Sequence, residues 1–226
     1  MKTVIIYGIE HKGSTYNVVQ LFKSQLSISE NDIMEFYLPK DLPHFCMGCN
    51  NCFIKGEEFC PHKDYVTPIK EAIYNAELII LASPVYVFHV TGQMKAFLDH
   101  FAFQWMAHRP NKSLFSKTAL VVSIGANGGM SSTIKDMKLS LTYWGISRVF
   151  SFGYGVFAAK WEDVTEKNRI KIDRKTKIIS NKIKAKINKK KPSIKMKILF
   201  YIFRMVQKKY EFIPIGIVIV FISFYI

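Results

Sequence analysis

All four cysteines of the chain fall in one short stretch, CMGCNNCFIKGEEFC, as Cys46, Cys49, Cys52 and Cys60. Two C-x2-C steps that share Cys49 can aim three sulfurs at one centre, and Cys60 can close the set, because each iron of a cubane takes one thiolate. Softness alone does not separate iron–sulfur from zinc. A four-cysteine zinc site usually comes as two C-x2-C knuckles parted by a longer stretch, which a shared Cys49 suits less well. His44 and His62 flank the motif and could serve zinc, but they read as ordinary loop residues. Metal-free, redox-active thiols are the third alternative, and the spacing leaves all three open. A disulfide scaffold is disfavoured, since four cysteines in 226 residues do not build a secreted, cross-linked domain. The opening MKTVIIYGI also runs straight into an apolar strand-like segment with no cleavable region, so a reducing, cytoplasmic setting is expected.

Three other stretches combine hydroxyls, glycines and aromatics. GIEHKGSTY (8–16) offers the Ser14 and Thr15 hydroxyls and free backbone N–H groups at a helix start behind Gly13. His11 and Lys12 can add positive charge, so this is a place for a phosphate. SPVYVF (83–88) sets an aromatic, Tyr86, and the backbone amides of Val85 and Val87 beside a rigid Pro84, after Ser83. SIGANGG (123–129) supplies Gly125, Asn127, Gly128 and Gly129, whose small side chains let a flat ring approach the backbone. Tyr86 and His89 are candidates for packing against such a ring; a core aromatic and a surface histidine are the plainer readings. Neither a G-x-G-x-x-G fingerprint nor an ATP-type P-loop is present.

The elements that must position these loops follow from hydrophobic period. Short apolar, β-rich runs occur at 3–9, 32–38, 78–82, 118–125 and 147–157. Between them lie helical spacings at 16–26, 66–76, 92–105 and 130–145, the last stopped by Gly145. The cysteine stretch is expected to be a loop insertion after the second strand. Continuous apolar strands alternating with amphipathic helices mean a parallel sheet covered on both faces. Five such strands fit an α/β, flavodoxin-like doubly wound sheet of order 2-1-3-4-5, which binds ligands at the carboxyl ends of its strands. The loops after strands one, three and four should therefore meet at one edge. Phe101 and Phe103, in the aromatic-rich stretch 101–110, read as an ordinary buried helix face.

With these residues in place, about the first 155 to 165 residues resemble the NADPH-dependent FMN reductase and iron–sulfur flavoprotein family. The family's first loop usually reads like GSPRKGSNT. Here it is Gly8-Ile9-Glu10-His11-Lys12-Gly13-Ser14-Thr15, which departs at Ile9, Glu10 and His11, with His11 standing in for the arginine. The second loop, S-P-x-Y, is matched by Ser83-Pro84-Val85-Tyr86, and the third by Gly125, Asn127, Gly128 and Gly129. The resemblance implies FMN, not FAD, with its phosphate on Ser14 and Thr15. It also implies a [4Fe-4S] cluster on Cys46, Cys49, Cys52 and Cys60, with Gly48 before the second cysteine as in many relatives. An FMN-dependent oxidoreductase with such a cluster would convert paired electrons into single ones. The rivals are an NAD(P)H-dependent FMN or quinone reductase without a cluster, and an electron carrier that exchanges with ferredoxin. NAD(P)H or ferredoxin is thus the expected donor and a small molecule such as a flavin or quinone the acceptor. A homodimer or tetramer is expected by family analogy, and no catalytic side chain is assigned.

The formal charge of +15 looks like a nucleic-acid signal, but residues 1–165 hold 15 Lys and Arg against 14 Asp and Glu. The excess lies in 166–226, a basic helical tail after the FMN-binding domain of 1–165. A solvated helix face is the plain reading, an anionic membrane surface comes next, and no nucleic-acid motif accompanies the charge. The tail ends in an almost wholly apolar run, 212–226, shorter than a spanning helix needs. Peripheral membrane contact through this tail is the expectation.

Overall fold

The computed structural model describes residues 1–187 and 191–209, with side chains through 206. The apolar run 212–226, and the membrane contact expected of it, lie outside the described residues. Five strands form one parallel sheet of order β2-β1-β3-β4-β5: β1 Thr3–Tyr7, β2 Ile33–Tyr37, β3 Leu78–Pro84, β4 Thr118–Gly125 and β5 Arg148–Gly155. This is the expected doubly wound order. The switch point falls between β1 and β3, where Tyr7 pairs with Ala82.

The strands read as unbroken apolar runs because each face of the sheet is buried. Val4, Ile6, Ile79, Leu81, Ala119 and Val121 face helices α3 (Lys63–Asn75), α4 (Gly92–His100) and α5 (Met130–Tyr143). Ile5, Tyr7, Ile80, Leu120 and Val122 face α1 (Ser14–Leu26) and α6 (Glu166–Lys184). Successive strand residues point to opposite faces, so β1, β3 and β4 are apolar along most of their length, with polar Thr3, Ser83, Thr118 and Ser123 at or near their ends.

Several elements differ from expectation in their bounds. The cysteine stretch holds a short helix, α2 (Asn51–Ile54), and a tight turn at Glu57–Phe59. Helix α3 begins at Lys63, three residues after the last cysteine, and Lys63 N donates to the Cys60 carbonyl at 3.0 Å, so Cys60 is tied to a helix start. Helix α4 stops at His100, and the chain turns again at Ala102–Gln104. Phe101 and Phe103 are buried there with Phe97 and Trp144, as an ordinary core face would be.

Helix α6 carries much of the basic excess, yet it packs on α1. Ile172, Thr176, Ser180 and Ile183 are buried, and Gln25 Nε2 donates to Asp173 Oδ1 at 2.9 Å. The lysines occupy its outer face, as amphipathic spacing requires. A last helix, α7 (Ile194–Lys209), packs beside α5 and the loop that follows α4.

Candidate functional site

One cleft opens at the carboxyl ends of β1, β3 and β4. Ile9, His11, Gly13, Ser14 and Thr15 line it from the first loop, Pro84, Val85 and Tyr86 from the second, and Ile124, Gly125 and Ala126 from the third. The tertiary structure thus brings together three loops that lie far apart in the chain. Gly13 is the N-cap of α1 and no side chain caps that end, and Gly13, Ser14 and Thr15 line the cleft, so the open helix N-terminus lies at its wall. Lys12 does not face the cleft; its Nζ stands over the Tyr16 and Tyr37 rings at 5.2 and 5.9 Å from their centres.

Some expected residues brace the cleft instead of lining it. Ser83 is fully buried, its Oγ donates to the Pro84 carbonyl at 2.9 Å, and it accepts from Thr91 N at 3.1 Å. Thr91 Oγ1 in turn donates to the Gly8 carbonyl at 2.6 Å and accepts from Met94 N at 3.1 Å. One buried hydroxyl therefore caps α4 and holds the first loop against the second. Gly125 and Gly129 permit close backbone approach: a Cβ at Gly125 would stand 2.8 Å from the Gly128 carbonyl oxygen, and Gly129 has φ +85°. Asn127 gives its carbonyl to the wall against Gly155, where an added Cβ would meet it at 2.9 Å. Gly128 adjoins the Phe88 ring. Val87 lies outside the cleft, 91% exposed at the tip of a tight turn.

The fourth wall was not foreseen. Val156, Ala158 and Ala159 follow β5 and line the same cleft. They are placed by hydrogen bonds beyond the strand ends, from Val156 N to the Gly125 carbonyl and from Phe157 N to the Ala126 carbonyl, at 3.0 and 2.7 Å. Their sequence carries no hydroxyl or glycine motif, so only the β4–β5 pairing reveals them. Apolar walls with one polar, helix-capped end suit a flat ring carrying a phosphorylated chain, and the residues present fit FMN.

The four cysteines line a second, smaller cleft with His62, Asp99 and His100. Left-handed backbone at Gly48 and Asn50, φ +64° and +58°, turns the chain between the cysteines. Cys46 and Cys49 are exposed; Cys52 and Cys60 are half-buried. Burial pushes the Cys52 thiol up to about 11, and its neighbours Cys60, Cys46 and Cys49 push the same way. Cys60 is raised by burial, while the backbone N–H of His62 on its sulfur opposes the shift. Among the described residues, no group of three or more His, Cys, Asp or Glu is set to hold a single metal ion. Four thiols on one cleft are nonetheless the type and number of donors that a thiolate-bound cluster takes.

His44 and His62 do more than fill loops. Their rings stack at 4.5 Å, and His62 reaches the buried His100 on α4. Helix α4 also fixes how the clefts relate: its cap, Thr91, holds the first loop, while Asp99 and His100 in its last turn line the cysteine cleft. A nine-residue helix spans about 12 Å between those ends.

A five-stranded doubly wound sheet with this cleft at its switch point defines an FMN-dependent oxidoreductase of flavodoxin-like fold. The chain belongs to the NADPH-dependent FMN reductase family, whose profile matches residues 1–159. Among curated proteins it is similar to an iron–sulfur flavoprotein of Archaeoglobus fulgidus, 30% identical over 165 residues that cover 72% of this chain and 73% of that one. It is also similar to an iron–sulfur flavoprotein of Methanosarcina thermophila, 32% identical over 61% of this chain and 71% of that one. Among solved structures, the NAD(P)H:quinone oxidoreductase of Methanothermobacter marburgensis shares the fold at 14% identity, with a TM-score of 0.58 over 78% of this chain and 95% of that one. An FMN-dependent NADH-azoreductase of Bacillus anthracis in complex with FMN does so at 14% identity and a TM-score of 0.55, over 80% of this chain and all of that one.

Proposed function

We propose that the chain is an electron-transfer iron–sulfur flavoprotein, with FMN in the first cleft and a [4Fe-4S] cluster on Cys46, Cys49, Cys52 and Cys60. The observation that carries this reading is the convergence of all four cysteines on one cleft, in a chain similar to proteins named for such a cluster. When bound, FMN supplies two-electron hydride chemistry and a cluster supplies one-electron transfer. The chain's own part is to bind and orient. The α1 terminus with Ser14 and Thr15 takes the phosphate, and Pro84, Val85, Tyr86, Gly125, Asn127, Gly128 and Gly129 form or support the ring's seat. His11 lines the cleft beside them and can donate a ring N–H to the phosphate. The donor is NAD(P)H or ferredoxin and the acceptor a quinone, flavin or similar small molecule, in a reducing cytoplasm. Because α4 holds the two clefts apart within one subunit, a homodimer or tetramer that sets one subunit's cysteine cleft beside another's flavin would shorten the transfer.

The test is anaerobic purification with iron, sulfide and flavin analysis and an absorption spectrum. About four irons and four sulfides per FMN are expected, with iron lost in Cys52→Ser while FMN is kept. FMN without iron in the wild-type protein overturns the cluster. It would favour a NAD(P)H-dependent flavin or quinone reductase with free thiols. Zinc in place of iron would instead make the cysteine cleft structural.

A further inference from the structure

Helix α7 has two apolar faces and only one is covered. Met196 and Phe203 are buried against Met106, Ala107, Phe115 and Tyr143, and this packing seats the helix on the body of the protein. On its other side Ile194, Ile198, Tyr201, Ile202 and Met205 are 78, 55, 58, 45 and 65% exposed. Their spacing, i, i+4, i+7, i+8 and i+11, forms one continuous stripe along the helix. Exposed Lys195, Lys197 and Arg204 flank it, and no Asp or Glu occurs between Asp173 and Glu211. All of α7 lies beyond residues 1–159, the part matched by the family profile.

We propose that this outer face of α7 docks onto an anionic lipid surface. An apolar stripe edged by lysine and arginine is the pattern of a helix lying in the plane of an interface: the apolar side chains enter the acyl boundary, Tyr201 sits at headgroup level, and the cations meet lipid phosphates. The helix lies on the bilayer and does not cross it, since no described helix is long and apolar enough to span. A second copy of the chain is a poorer occupant. A twofold contact through this face would set its cations against cations of the same set, with no acid in the segment to answer them. The sequence that follows α7 agrees in character, because 212–226 holds no charged residue.

The test uses the full-length, flavin-loaded protein in co-sedimentation with two kinds of vesicle: phosphatidylcholine alone, and phosphatidylcholine with about one-third phosphatidylglycerol. The wild type is expected to pellet with the anionic vesicles, and less so at high salt. Ile198→Glu with Ile202→Glu should weaken that binding at least about tenfold, and Lys195→Glu with Lys197→Glu should weaken it and remove its salt dependence. Flavin content and circular dichroism report whether each variant is folded. Both pairs lie on the solvent side of α7, so they should be unchanged. Three results overturn the proposal. The first is wild type wholly in the supernatant with both vesicles. The second is an Ile198/Ile202 variant that binds as the wild type does, which would move the contact to 210–226. The third is a dimeric wild type that this variant converts to a monomer while neither binds vesicles, which would make the face a contact between copies.

Discussion

His62 Nδ1 lies 3.0 Å from His100 Nε2, and His100 Nδ1 lies 2.8 Å from the Ala96 carbonyl. A carbonyl only accepts, so His100 donates from Nδ1. Neutral His100 then accepts at Nε2, and His62 donates from Nδ1. A residue buried in α4 thereby sets the tautomer and orientation of a residue on the wall of the cysteine cleft. His100→Ala removes this acceptor and leaves a hole, at a cost of about 2–4 kcal/mol, while His100→Gln keeps an acceptor and recovers part of it. Denaturant unfolding of the purified protein measures this. In iron-free protein, alkylation of Cys60, two residues from His62, should quicken in the same order. Unfolding of His100→Ala at the wild-type midpoint would show that the pair braces nothing.

His108 gives the fold a pH dependence. Its ring meets Phe53 of the cysteine segment edge-on at 4.7 Å, and burial lowers its pKa from 6.5 to about 4. Below pH 6.5 the unfolded chain takes up a proton that the folded chain refuses. Stability is therefore full above pH 6.5 and is lost as pH falls from 6.5 toward 4. His108→Phe should flatten this part of the curve, leaving what His62 contributes in the same direction. Thermal melts of the two proteins between these pH limits check the prediction.

Two glycines separate cofactor binding from stability. At Gly125 a Cβ would meet the Gly128 carbonyl oxygen at 2.8 Å, and backbone does not yield cheaply. Gly125→Ala should weaken FMN binding at least about tenfold, since the cleft wall must shift. Gly145 ends α5 with φ +98°, and a Cβ there would meet the Phe115 ring at 2.8 Å. Gly145→Ala should cost about 1–3 kcal/mol of stability and leave FMN affinity alone. Flavin fluorescence titration beside thermal melting distinguishes the two; equal flavin loss in both would refute the assignment.

The turn at the cleft's rim is held in an unfavourable conformation. Tyr86 and His89 exchange backbone hydrogen bonds, and the two residues between them, Val87 and Phe88, both have left-handed φ, +48° and +64°. Such turns favour Asn-Gly, and a β-branched residue there is strained. Val87→Asn with Phe88→Gly should raise stability by about 1–2 kcal/mol. If the exposed Val-Phe tip contacts the electron acceptor, the same variant raises KM for a quinone and leaves FMN content unchanged. A variant less stable than the wild type would mean that the Phe88 contacts with Gly128 and Gly129 outweigh the backbone strain.

The sheet was legible because a parallel strand buried on both faces must be apolar at nearly every position, and Leu78–Ala82 and Ala119–Val122 write that requirement directly into the chain. The cysteine motif and the hydroxyls of Ser14 and Thr15 were legible because their chemistry is local. Helix bounds were less so: α3 reaches back to Lys63 and α4 stops at His100 through packing around Cys60 and Phe101, which no hydrophobic period encodes.

By itself, the sequence determined the alternation of strands and helices along the chain, the three loops that follow the first, third and fourth strands, and the clustering of the thiols. Each rests on neighbours in the chain or on a period of a few residues. Tertiary structure alone decided that Val156, Ala158 and Ala159 close the cleft, that Ser83 braces while Val87 stands clear, and that His62 meets His100. It also decided that α6 buries Ile172 and Ile183 against α1 while α7 leaves a face uncovered. These outcomes depend on contacts between residues far apart in the chain, 38 positions for His62 and His100. An apolar or polar side chain there carries no sign of its partner until the sheet and helices have set both in place.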